Sequence, residues 1–94
     1  MYAVIVRVEI DATRLDEADK LLHETVVPRA KSAEGFVRGL WLRSTDGQTG
    51  RGLVVFDTEE HAQAGAEQAR QQAPPPGAPV TFQSAEVVEV VAEA

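Results

Sequence analysis

An α+β fold of order strand, helix, strand, strand, helix, strand follows from three observations. The stretches 2–10 and 80–91 are rich in β-branched residues and alternate in polarity with period two. The stretches 11–33 and 58–73 place small and apolar residues at helical spacing. Between them, "FVRGLWLRSTDGQTGRGLVVFD" joins two apolar runs through an Asp46-Gly47 turn signal, which reads as an antiparallel hairpin. Two right-handed crossovers then lay both helices on one face of a four-stranded antiparallel sheet, the ferredoxin-like arrangement.

The first strand is "YAVIVRVEI", residues 2–10, closed by Asp11. Tyr2, Val4, Val6, Val8 and Ile10 share a wholly apolar face, expected beneath the helices. Ala3, Ile5, Arg7 and Glu9 share the other. The first helix spans 11–33, with Thr13 and Asp16 resembling a capping box and Leu15, Ala18, Leu22 and Val26 as its buried stripe. Pro28 is expected to kink or interrupt it, and Gly35 to end the region. The second strand covers 36–44 and the third 51–57, with Trp41 sharing a face with Val37, Gly39 and Arg43. The second helix opens on Thr58 as N-cap, followed by Glu59 and Glu60. Its stripe of Ala62, Gly65, Ala66, Ala69 and Ala73 is small throughout, so it is expected to lie close against the sheet. "PPPGAP", 74–79, makes a stiff connection. The last strand, 80–91, loses its alternation partway, which a bulge near Ser84 and Ala85 explains.

Ninety-four residues make one domain, 1–94. Nine basic against fifteen acidic residues give a net charge of −6, which opposes binding to nucleic acid or anionic membranes. "RGLVVF" opens like the third-strand motif of RNA-binding sheets, but Leu53 and Val55 stand where stacking rings belong. The chain has no cysteine, which excludes disulfides, thiolate metal sites and cysteine nucleophiles. "MYAVIV" is too short to span a bilayer and lacks a basic leader, so a cytoplasmic location is the expectation. Only two helices are available for a sheet with apolar residues on both faces, so a second subunit is expected to cover the other face.

"VVPRAKSAEGFVRGLWLRSTDG" and "RGLVVFDTEEHAQAGAE" resemble the dimeric α/β-barrel superfamily, and within it small proteins of the antibiotic biosynthesis monooxygenase type. The marks are Val27-Pro28 late in the helix, Gly35-Phe36 opening the second strand, the hairpin, and Phe56-Asp57-Thr58 followed by acidic residues. The resemblance implies a homodimer with the helix-free sheet faces packed together. It also implies a cavity between sheet and helices that takes a hydrophobic aromatic or polyketide-like molecule, and cofactor-independent monooxygenase chemistry. The alternative is a noncatalytic ligand-binding or interaction protein of the same fold. Members that degrade haem or oxidise without a cofactor place an Asn, a Trp and a His or Arg around the pocket. This chain contains no asparagine, and Arg7 stands at the polar position of the first strand, so haem degradation is not expected.

The candidate pocket residues are Arg7, Glu9, His23, Trp41 and Arg43. Trp41 offers a face for a planar ligand or else fills the core. Arg43, two residues on, supplies a cation roughly 7 Å away. Arg7 and Glu9 either bind an anion or form a cross-strand ion pair. His23 sits at the edge of the first helix stripe, as a base or axial ligand or as a half-exposed surface residue. His61, off the alanine stripe, reads as solvated. The two histidines lack metal-ligand spacing, so no metal is expected.

Overall fold

The computed structural model describes residues 1–94. Strand β1 is Tyr2–Ile10, β2 Phe36–Arg43, β3 Thr49–Phe56 and β4 Val80–Glu89. They form one antiparallel sheet in the order β2-β3-β1-β4. With both helical segments on one face, this is the ferredoxin-like βαββαβ fold expected from the sequence.

The first helical segment is composite. A 3-10 turn, Ala12–Arg14, leads into α1, Leu15–Leu21; a π turn, Leu22–Val26, leads into α2, Val27–Ser32. The Val27 N–H reaches back five residues to the Leu22 carbonyl. Pro28 explains the widening. A regular helix would require a Pro28 N–H for the Glu24 carbonyl and would drive the ring into that oxygen. The π turn just before Pro28 relieves the clash, and the chain remains helical across the proline. The cap is Asp11 rather than Thr13: its carboxylate accepts from the Thr13 N–H at 3.0 Å and the Thr13 hydroxyl at 2.6 Å. The second helix is α3, Glu59–Gln71, capped as expected by Thr58, whose hydroxyl accepts from the His61 N–H at 3.1 Å. Ala73 lies beyond its end and is exposed.

β3 begins two residues before the expected Arg51, because the hairpin loop ties itself closed. The Ser44 N–H donates to the Thr49 carbonyl, the Thr49 N–H to the Ser44 hydroxyl, and the Gln48 N–H to the Asp46 carboxylate. Gly47 carries φ +77° at the turn, where a side chain would be strained. The bulge in β4 falls at Gln83: Arg7 pairs with Ser84, and Val8 with Phe82. A second bulge, unforeseen, falls at Val37. Phe36 pairs with Phe56 and Arg38 with Val55, so Val37 is the extra residue. It is therefore displaced from the face it was expected to share with Trp41 and stands 44% exposed. The 74–79 connection is pinned at both ends: Arg14 donates to the Gly77 carbonyl at 2.8 Å and the Asp11 N–H to the Pro79 carbonyl at 2.9 Å.

The core lies between α3 and the centre of the sheet. Val4, Val54, Phe56, Ala62 and Ala66 are buried together, with Tyr2, Val6, Phe36, Trp41 and Val87 packed around them. The opposite face carries no helix. Its residues stand in cross-strand rows: Arg38, Val55, Ala3, Val88; then Leu40, Leu53, Ile5, Glu86; then Leu42, Arg51, Arg7, Ser84. Leu40 and Leu42 are 58% and 53% exposed. β4 stops at Glu89, short of the expected Val91. The Val90 N–H donates to the Met1 carbonyl at 3.0 Å, and Glu93 pairs with Arg38 at 3.0 Å.

Candidate functional site

The helix-covered face of the sheet positions Trp41 and Arg43. Trp41 pairs across the hairpin with Gly52, and Gly39 precedes it by one pleat. A methyl group on Gly39 would stand 2.7 Å from the indole, and one on Gly52 3.2 Å. The two glycines thus form a shallow bed on which the ring lies. Its inner edge joins the core and the rest stays partly exposed. Arg43, on the same face, donates to the Asp19 carboxylate of α1 at 2.6 Å. Both side chains are close to half exposed, so the pair adds little stability. It does tie the first helical segment to the edge strand. Two depressions on the surface lie away from Trp41, one lined by Met1 and Val90–Glu93, the other along Ala12–Glu17.

The other candidates stand elsewhere. Arg7 and Glu9 are exposed on the helix-free face. Arg7 does not pair with a carboxylate; its cross-strand neighbours are Arg51 and Ser84. Glu9 stands between Thr49 and Thr81. His23 is exposed on the π turn. The structure therefore joins Trp41 with Arg43, joins Arg7 with Glu9 on the reverse of the sheet, and leaves His23 apart from both.

One polar cluster escaped the sequence reading. His61 Nδ1 lies 2.6 Å from the Asp57 carboxylate, and its Nε2 lies 3.5 Å from Glu34. The ring occupies the space that a side chain on Gly35 would need, and Gly35 also carries φ +80°. Glycine is thus required there for both space and conformation. The Asp57 N–H donates to the Gly35 carbonyl at 3.0 Å. The hydrogen bond to Asp57, and then the charges of Asp57 and Glu34, raise the His61 pKa against the desolvation of the ring. The bond to His61 lowers that of Asp57. The signal available in the sequence was the Asp57–His61 spacing of four at a helix start; Glu34 becomes a neighbour only through the fold. The arrangement fastens the turn after α2 to the first turn of α3. No grouping of three or more His, Asp and Glu side chains in the chain is arranged to hold a metal ion.

The fold and these positions define a small α+β sheet protein with one uncovered face. Compared with protein-family models the chain matches none, and no curated protein matches it. No helix is long and apolar enough to cross a membrane.

Proposed function

We propose that this chain is a self-pairing, noncatalytic module in which two copies pack their helix-free sheet faces together, as in dimeric α/β barrels. The observation that carries this reading is the row Leu40, Leu53 and Ile5, which runs across three strands on a face without a helix. Leu42 extends it. Apolar surface that is contiguous and rimmed by charge is the usual mark of an interface. The charges fit a two-fold pairing. Arg7 and Arg51 are adjacent like charges, while Glu9 and Glu86 stand on the same face. A self-complementary patch lets one copy's carboxylates meet the other's guanidinium groups. Sedimentation at micromolar concentration is expected to give twice the mass of the 10.1 kDa chain. Leu40→Asp is expected to give a folded monomer, because Leu40 is 58% exposed in the single chain and the charge would be buried only in the pair. A monomeric parent protein would overturn the proposal.

A second reading is supported by Trp41 and Arg43. A partly buried indole beside a guanidinium suits a planar aromatic acid, held by stacking and by a charge-assisted hydrogen bond. A cofactor-independent monooxygenase acting on such a molecule would use this edge of the sheet. Titration with aromatic acids and quinones would then quench tryptophan fluorescence, and Arg43→Gln would weaken the quenching. No response to any of them would leave Trp41 as a packing residue.

A further inference from the structure

The residues after Val90 do not continue along the sheet edge. Glu89 pairs with Tyr2 on β1, and the next N–H, that of Val90, is bound by Met1. Glu93 then reaches Arg38, which belongs to β2 at the opposite edge. The chain from Val90 to Glu93 must therefore head across β1 and β3. Three extended steps span roughly 10 Å, about two strand spacings, and the long Arg38 and Glu93 side chains close the remaining gap. Arg38 fixes the side on which they pass, since it shares the helix-free face with Val55, its cross-strand neighbour. Burial on that face agrees. Ala3 and Val55, in the same row as Arg38, are each only 2% exposed, whereas Ile5 and Leu53, on the same two central strands in the next row, are only partly buried. No helix accounts for that difference. The hold is slight: one backbone hydrogen bond and one ion pair whose side chains are 62% and 40% exposed, with Val91 87% exposed between them.

We infer that Val90–Glu93 is a strap lying across one end of the helix-free face, and that it limits self-association by occupying the row a second copy would otherwise cover. This rests on the pairing face proposed above. A second copy packing along the whole face must lift the strap and break the Arg38–Glu93 pair. Weakening the strap should therefore tighten association.

The test compares the dimer dissociation constants of the parent protein, Glu93→Gln, a chain ended after Glu89, and Glu86→Gln as a control carboxylate on the same face. Far-UV circular dichroism establishes that each is folded. Glu93→Gln is expected to tighten association by about two- to fivefold, the range of an exposed ion pair. The shortened chain should tighten it further, and Glu86→Gln should not tighten it. Unchanged or weaker association in Glu93→Gln and in the shortened chain would overturn the inference. If every protein is monomeric, the pairing proposal fails and the strap is judged separately, by binding of an anilinonaphthalene dye. Greater dye fluorescence in the shortened chain than in the parent would support a strap covering apolar surface. Equal fluorescence would overturn it.

Discussion

The two helical segments cover the same sheet in opposite ways. The stripe of α3 is made of the smallest residues, yet Ala62 and Ala66 are 0% and 1% exposed. The first segment carries Leu15, Leu22 and Val26, yet of its stripe only Ala18 is buried. Small residues let a helix axis approach until the sheet's own large side chains reach its backbone. Here the Phe56 ring lies against Gly65, so close that a Cβ there would stand 2.5 Å away. The first segment cannot approach so closely. Its side chains are bulky, and its π turn changes the phase of its stripe. Area is therefore buried beneath α3 largely by the sheet's residues, and only partly beneath the first segment by its own. Hydrophobic side chains on a helix do not by themselves show where the core lies.

Truncation of Phe56 tests this comparison most severely. Phe56→Ala removes the most deeply buried aromatic ring, which lies against α3, and is expected to cost about 3–5 kcal/mol in urea unfolding. Gly65→Ala comes next. Alanine favours a helix by roughly 1 kcal/mol, but the buried Phe56 ring cannot yield freely, so a net loss of about 1–3 kcal/mol is expected. A gain in stability would mean that α3 is not held against the ring. Leu22→Ala, on the first segment, should cost only about 1–2 kcal/mol, below the usual range for a buried leucine, because the side chain is only partly buried. A loss as large as that of Phe56→Ala would erase the difference between the two segments.

The smallest effect concerns the fastening between them. His61 has a raised pKa, so its contribution is fully present below its ordinary value of 6.5 and fades as pH rises through the raised one. Asp57 has a lowered pKa, so its contribution is present above its ordinary 3.8 and is lost as pH falls through the lowered one. The link is thus strongest between 3.8 and 6.5. The stability difference between the parent and His61→Gln should shrink as pH is raised above this window. Urea midpoints measured inside and above it check the sign, and a difference that grows with pH would reverse the assignment.

The order of elements was legible because it depends on local signals. These are the alternation in 2–10, the Asp46-Gly47 turn, the Thr58 cap and the small stripe of α3. What was not legible depends on meetings distant in sequence or on one-residue choices. Asp11 and Thr13 are both good caps, and only geometry chose between them. Val37 continues an apolar run, so its bulge left no mark. Val90 and Val91 extend the strand pattern of β4, though the chain leaves the sheet after Val90, whose N–H still bonds Met1. The placement of Trp41 with Arg43 was readable from a spacing of two along one strand. The separation of Arg7, Glu9 and His23 from them was not, since it depends on which face each strand turns to the helices. The His61 cluster needed Glu34, which only the closed fold brings near.

The central place of β1 also governs how the chain is made. First of the four strands in chain order, β1 pairs with β3 on one side and with β4 on the other. Its second partner is the last of these four strands to emerge from the ribosome. Until then one of its edges is open, displaying the unpaired N–H and C=O groups of a valine-rich strand. Such pairing of strands far apart in the sequence raises contact order and slows closure of the sheet. A nascent chain stalled before residue 80 would hold three paired strands and a free β1 edge, the part of this molecule most apt to recruit a neighbouring chain.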